Sequence, residues 1–229
     1  MPLTRSEALR YKIRLAEPGL NALCAMFWQH SHIGMILPEY LFSLWSSMRA
    51  TLPLLQAAAV RACEQAHVDA LSAHLVPYLL RHADEERGHD DWLLEDMQTL
   101  GVERASLLAR LPPPDVAAMI GAQYYWIAHV HPVALLGLFA VLEGSPLSAA
   151  DVDGLEERAG VSRAALRTLY KHAALDPQHR DDLDALLDGL PLTPAHEALL
   201  GLSALTVIDQ LAGIVGRLID SANAGVARA

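Results

Sequence analysis

Residues Leu75–Leu100 read LVPYLLRHADEERGHDDWLLEDMQTL. On a helix advancing about 100° per residue, Leu75, Leu79, His82, Glu86, His89, Leu93, Met97 and Leu100 fall on one stripe, while Asp84, Arg87, Asp90 and Asp91 point elsewhere. Two histidines and a glutamate therefore stand where a core helix should carry leucine, with Glu85 at the edge of the stripe. Desolvating an unpaired carboxylate costs several kcal/mol, so Glu86 in that position asks for a cation or a hydrogen-bonding partner. The same run also reads as a solvated acidic face with a stray histidine, because charge runs usually lie at the surface.

The rest of the chain has the same helical period. Leu and Ala dominate, Val and Ile never alternate, and no strand is expected. Breakers at Pro18, Pro38, Pro53, Pro112–Pro114, Pro132, Pro146, Pro177 and Pro191–Pro194 divide it into about eight segments, with helices of about 12 to 30 residues. None of the connections has the length or polarity of a linker, and there is no internal repeat, so one all-α domain over residues 1–229, with its core at about 20–223, is expected. Ser162 is placed as an N-cap, and Pro113-Pro114-Asp115 as a helix start. Leu199, Leu202, Leu205, Ile208, Leu211, Val215 and Leu218 mark a long closing helix over about Pro194–Asn223.

Composition narrows the function classes. In 229 residues, 52% apolar, 27 acidic side chains outnumber 17 basic ones for a net charge of -10, which disfavours nucleic acid as a partner. Cys24 and Cys63 lack metal-finger or redox spacing, and no charged N-terminus leads into an apolar segment, so a cytoplasmic protein is expected. Mean hydropathy is high at +0.22, but the longest apolar stretches, such as Val130–Leu142, are interrupted by His131 and Pro132 and fall short of the roughly 20 residues that span a bilayer, so no membrane insertion is expected.

Two further segments carry polar groups on apolar stripes. His172, Asp176 and His179 follow at spacings of four and three, which puts both imidazoles and the carboxylate on one helical face and suits a transition metal with mixed nitrogen and oxygen ligands. Asp176 before Pro177 equally reads as the cap of a helix junction. Glu143 extends the stripe of Leu136, Phe139 and Ala140 in a last turn, where a carboxylate opposes the helix dipole; it either has a compensating partner or turns to solvent at a frayed Gly144 end. Together the segments offer three carboxylates and three histidines, the inventory with which helical bundles hold two irons, and Glu86-x-x-His89 has the form of one of its ligand pairs.

Asp84-Glu-Glu-Arg-Gly-His89 followed by Leu100-Gly101, then Tyr124-Tyr125 with Pro132–Gly137 leading to Glu143-Gly144, then His172-x3-Asp176-x2-His179, occur in an order and spacing that is similar to the heme-oxygenase-like diiron oxidases and oxygenases. The resemblance runs from about Asn21 to Asn223, within the wider superfamily of heme oxygenase, thiaminase-like and pyrroloquinoline-quinone synthase proteins. It implies a seven-to-eight-helix bundle of the heme-oxygenase-like type, often a homodimer, with two ferrous irons per chain. The ligands implied are Glu86, His89, Glu143, His172, Asp176 and His179. Some members take the first carboxylate seven residues before the helix-three histidine, where this chain has His82, so His82 and Glu85 are further candidates. Glu39 is another, although a helix start explains it as well. The implied reaction is oxidation of a small organic substrate by dioxygen, whether N-oxygenation, desaturation or carbon–carbon cleavage. Trp28, Tyr40, Trp45, Tyr124, Tyr125 and Trp126 are expected to wall the substrate pocket.

Other readings predict different properties. A cofactor-free oxidase of the pyrroloquinoline-quinone synthase type would use the histidines as acid and base, and a non-catalytic helical partner would keep the polar stripe as a buried hydrogen-bond network. Heme ligation through His30 or His32 leaves the His172–His179 cluster without a purpose, and a thiaminase-like activity lacks an evident base near Cys24 or Cys63.

Overall fold

In the computed structural model, residues 2–226 are described, and they are helical throughout: eleven α-helices and two short 3-10 turns, with no strand among the described residues. α1 (Arg5–Ala16) and α2 (Pro18–Trp28) lead into the long α3 (Ile33–Gln65). Then come α4 (Ala70–Glu85), α5 (His89–Thr99), the short α6 (Arg104–Ala109), α7 (Pro114–His129) and α8 (Leu135–Leu142). α9 (Ala149–Ala159), α10 (Arg167–Gly189) and α11 (Pro194–Val226) complete the bundle. One core cluster joins buried side chains from Leu9 to Ala222, including fully enclosed Leu37, Leu54, Leu75, Leu79, Leu93 and Val207. Each such leucine contributes about 1.5–3 kcal/mol relative to exposure.

The division is finer than seven or eight helices, and three boundaries differ from the expected ones. Pro38 and Pro53 do not break α3, and Pro177 lies inside α10. An interior proline costs a helix about 3 kcal/mol. In α3 the apolar residues flanking Pro38, Leu37 and Leu41, and those following Pro53, Leu54, Leu55 and Ala58, are completely buried and offset that cost. The stripe Leu75–Leu100 is not one helix: it parts after Glu85, and Gly88, at φ 83°, restarts the chain as α5. Only glycine adopts that left-handed conformation without penalty. Ser162 stands before the second 3-10 turn but makes no capping hydrogen bond, whereas Pro114 opens α7 as expected.

α11 is long and apolar enough, by length and composition, to cross a membrane. The expectation that no stretch reaches that measure is therefore corrected. Half of this segment is buried inside the protein, where α11 packs against α8, α2 and α7. At the α8 crossing, Gly137 allows close approach: a Cβ there would lie 2.6 Å from the Leu200 carbonyl oxygen and 2.7 Å from Ser203 Cβ.

Three polar contacts orient the helices that carry the site. Asp96 of α5, fully buried, accepts the backbone N–H of Thr168 at 2.7 Å and so caps α10 from a neighbouring helix. Arg10 of α1 donates to the Ala140 carbonyl in the last turn of α8 and pairs with Asp184 of α10 at 2.8 Å. Asp69 caps α4 through the N–H groups of Leu71 and Ser72 and receives His131 Nε2 at 2.9 Å, which joins α4 to the turn before α8. Burial works to raise the Asp69 carboxyl, but the bonds from Ser72, His131 and Leu71 outweigh it and hold the group well below the usual carboxylate range. A depressed folded-state pKa contributes stability that is complete above the unfolded value near pH 4 and fades as pH falls through the folded one. Replacing Asp69 by Ala should therefore cost about 1–2 kcal/mol at pH 7. In urea unfolding at several pH values, that difference should shrink below about pH 4; a constant difference would contradict the account.

Candidate metal centre

Seven side chains from four elements converge between α4, α5, α8 and α10. His82 sits in the last turn of α4, Glu86 in the link to α5, and His89 at the first position of α5. Glu143 caps the C-terminus of α8, while His172, Asp176 and His179 line one face of α10, which remains helical through Pro177. Asp176 is thus not the cap of a junction, Glu143 does not turn to solvent, and Glu86 does not lie on a solvated face. All three carboxylates are buried, as are His82, His89 and His179; the His172 side chain is 19% exposed.

The donors form two adjoining groups. One ligand atom from each of His82, Glu86, Glu143 and His179 lies within 4.8 Å of all the others. Here His82 Nε2 is 3.1 Å and His179 Nδ1 3.7 Å from Glu143 Oε1. Glu86 also stands 3.3 Å from His89 Nδ1, beside the second group, in which His172 Nδ1 meets Asp176 Oδ1 at 2.9 Å and the His89 and His172 rings are 5.1 Å apart, edge to face. Trp92 stacks on His89 at 4.1 Å, and Lys171 Nζ lies over its indole at 3.4 Å, so α5 and α10 grip each other next to the candidate ligands. Glu85 is half exposed and reaches His82 Nδ1 at 3.8 Å and His179 Nε2 at 4.0 Å from outside.

Charge is balanced by mutual pairing. Burial acts to lower the His82 imidazole, but the carboxylates of Glu143, Glu86 and Glu85 overcome it and hold it above its ordinary value; Asp176, Glu86 and Glu143 do the same for His172. Burial likewise acts to raise Glu86, yet His89, His172 and His82 keep it depressed. At Glu143 burial, helped by Glu86, prevails over His82 and His179 and the pKa rises.

Pairing does not satisfy the set. His82 Nε2, His89 Nδ1, Glu143 Oε2, His172 Nε2 and His179 Nδ1 are buried without a hydrogen-bond partner; the close approaches of His82 and His89 lack hydrogen-bond alignment, and His179 Nδ1 stands too far from Glu143. Each such group costs about 1–3 kcal/mol, and a cation among His82, Glu86, Glu143 and His179, whose ligand atoms converge, would offset that cost. Imidazole with carboxylate is a donor set that suits iron.

Residues 47–206 match the family described as iron-containing redox enzyme. The chain belongs to that family. Comparison with curated protein sequences finds no match. Among solved structures, a domain of unknown function with a heme oxygenase-like fold from Shewanella denitrificans OS217 superposes with a TM-score of 0.80 at 14% identity, over 97% of this chain and 95% of that one. A TenA homolog from Pseudomonas syringae pv. tomato DC3000 gives 0.66 at 12% identity, over 92% of both chains. The fold is thus heme oxygenase-like, and the buried His/Glu cluster of this member of the iron-containing redox enzyme family fits a metal site.

A cavity of about 270 Å³ opens on Glu86, Glu143, His172 and Asp176. Of the aromatic residues expected to wall it, only Tyr40 does so. Trp45 is buried in the core against Phe42, and Trp28 packs on Phe27 and Tyr40. Tyr124 and Tyr125 are 40% and 61% exposed, because α7 turns Val116, Met119, Gln123 and Ile127 inward; Trp126 is half-buried away from the cavity. Glu39 is exposed and bound by both Arg110 nitrogens, at 3.0 and 2.6 Å, which removes it from the candidate ligands. The actual walls, including Ser43, Ser47, Thr51 and Leu169, went unidentified in the sequence. A four-residue hydroxyl spacing in α3 was the available signal, obscured by reading Pro38 and Pro53 as breaks.

Proposed function

We propose that this chain is a non-heme diiron oxidase or oxygenase that uses dioxygen to oxidise a small organic substrate held in the cavity. The observation that carries the reading is the two adjoining groups of buried donors with five unpartnered atoms, placed against a mostly apolar cavity. His82, Glu143 and His179 would hold one iron, His89, His172 and Asp176 the other, with Glu86 between them. Bound in its ferrous form, iron supplies electrons to dioxygen and keeps coordination positions open.

The protein's own part follows from the geometry. Asp176 fixes the His172 ring through Nδ1 and leaves Nε2 bare toward the site, the arrangement by which a carboxylate sets an imidazole's tautomer. Glu85, at the exposed edge, offers a proton path between solvent and His82 or His179. Phe139, Leu169, Ile214 and Val215 keep water from the substrate side.

Metal-free protein loaded anaerobically with ferrous iron should bind about two irons per chain. A His172→Ala, Asp176→Ala double variant should lose at least one of them, and oxygen should produce a transient absorbing species only in the wild type. Iron binding that ignores the double variant, or no iron at all, would overturn the proposal and favour cofactor-free chemistry.

A further inference from the structure

α8 ends just before Glu143, and its last backbone bond runs from the Glu143 N–H to the Phe139 carbonyl at 3.0 Å. The carbonyls that follow have no partner within the helix and carry the negative end of its dipole, an unfavourable place for a buried carboxylate. His82 and His179 approach the Glu143 carboxylate itself, whereas Arg10 of α1 meets the helix end. Its Nη1 donates to the carbonyl of Ala140, the next in line after Phe139. Its Nε donates to Asp184 Oδ1 at 3.0 Å, and Nη2 stands 2.8 Å from the same oxygen. The Arg10 side chain is only 13% exposed, so water screens its charge little from the α8 terminus. Gly144 is fitted to this approach: a Cβ there would lie 2.5 Å from Arg10 Nη1. Asp184 lies on α10 beyond His179, so one guanidinium bridges the two helices that bring Glu143 Oε1 and His179 Nδ1 to 3.7 Å of each other.

We propose that Arg10 is a positioning residue for the metal centre: acting through the α8 backbone, it holds Glu143 turned inward and in register with His179. Its charge offsets the dipole that opposes a carboxylate at this end of the helix, and its fork satisfies the Ala140 carbonyl while Asp184 anchors it to α10. The assignment rests on the buried donors being a metal centre, and it makes α1, which supplies none of the candidate ligands, a determinant of how tightly one ion is held. Loss of Arg10 therefore weakens that ion with every donor still in place.

Cobalt(II), whose visible absorption reports the geometry of its ligands, is titrated into the metal-free protein, and thermal midpoints and amide hydrogen exchange at residues 142–144 are measured on the metal-free samples. Wild type should take up about two ions. Arg10→Met should weaken one of them about tenfold or more and move its absorption band, the usual effect of losing a group that orients a ligand, while the other binds within about twofold of wild type. In the metal-free protein the amides at the end of α8 should exchange about tenfold faster. Asp184→Asn keeps the oxygen that Nε bonds and removes only the ion pair, so it should lower the thermal midpoint and leave the cobalt affinity and band as in wild type. Arg10→Lys retains the cation without the fork and should lose about threefold with a smaller band shift; it carries the test if Arg10→Met does not fold. Wild-type cobalt affinity and spectrum in the Arg10 variant, or an equal cobalt defect in Asp184→Asn, would overturn the assignment. A wild type that binds no cobalt, but whose α8 end is loosened by the Arg10 variant and not by Asp184→Asn, would support the hold of Arg10 on Glu143 and overturn the metal reading alone; without that loosening both fall.

Discussion

Ferrous iron added anaerobically to the metal-free protein is expected to raise its thermal midpoint by roughly 8–16 °C. A ligand at 1,000 times its dissociation constant stabilises the native state by about 4 kcal/mol, and in a protein of this length each kcal/mol moves the midpoint by about 2–4 °C. Two variants separate this effect from ordinary packing. His82→Ala removes the imidazole 3.1 Å from Glu143 and leaves a buried carboxylate short of its nearest partner. The metal-free protein should lose about 3–5 kcal/mol and most of its response to iron. Glu143→Gln keeps the shape but deletes the charge whose burial is costly, so metal-free stability should hold or increase, while the iron response falls. Opposite effects on the metal-free protein with the same loss of response would mark both residues as ligands. Differential scanning calorimetry with and without iron reads all of this, and a full iron shift in Glu143→Gln would remove that residue from the set.

Gly137→Ala should be a strongly damaging single-methyl change at the α8–α11 crossing. The new Cβ would meet a backbone carbonyl on α11 at 2.6 Å, an atom that cannot rotate aside, so α8 must move. Overpacking of this kind costs about 1–3 kcal/mol. Because Glu143 terminates α8, the displacement should also lower iron occupancy, a readout separate from stability. Gly121→Ala on the outer face of α7 is the matched control: nothing lies within 4 Å of its added Cβ, and replacing a helical glycine there should stabilise by about 0.5–1 kcal/mol. Urea midpoints with iron counts on both variants decide the matter. Equal stabilities would refute the close-approach argument.

The sequence was most informative where one physical rule acted alone. The spacing of His172, Asp176 and His179 placed them on a common face because α10 continues through Pro177, and Pro114 opened α7 because a first-turn proline sacrifices no hydrogen bond. It misled where two rules competed. At Pro38 and Pro53 the local cost of proline was visible, but the burial of the surrounding leucines, which decides the outcome, belongs to the tertiary structure. Along Leu75–Leu100 an unbroken period concealed the turn at Gly88, and Glu86 and His89 are both buried despite the change of axis. His82, read as a secondary candidate, lies at 1% exposure in the four-residue group. The Tyr124-Tyr125 pair and Glu39 were misplaced because contacts made by distant segments, an inward apolar face on α7 and Arg110, determine where they point.

The turn at Gly88 also spreads the candidate metal-holding set over four helices, α4 and α5 being joined at that link. α5 is fastened to α10 by Asp96 on the Thr168 N–H and by the stack of Lys171, Trp92 and His89, so any shift of α10 carries His89 along with His172, Asp176 and His179. His82 and Glu143 belong to α4 and α8 on the other side. Glu86 lies in the three-residue link between α4 and α5, within reach of donors on both sides. A cation bound by His82, Glu143 and His179 would therefore clamp α4 and α8 against α10 across that link.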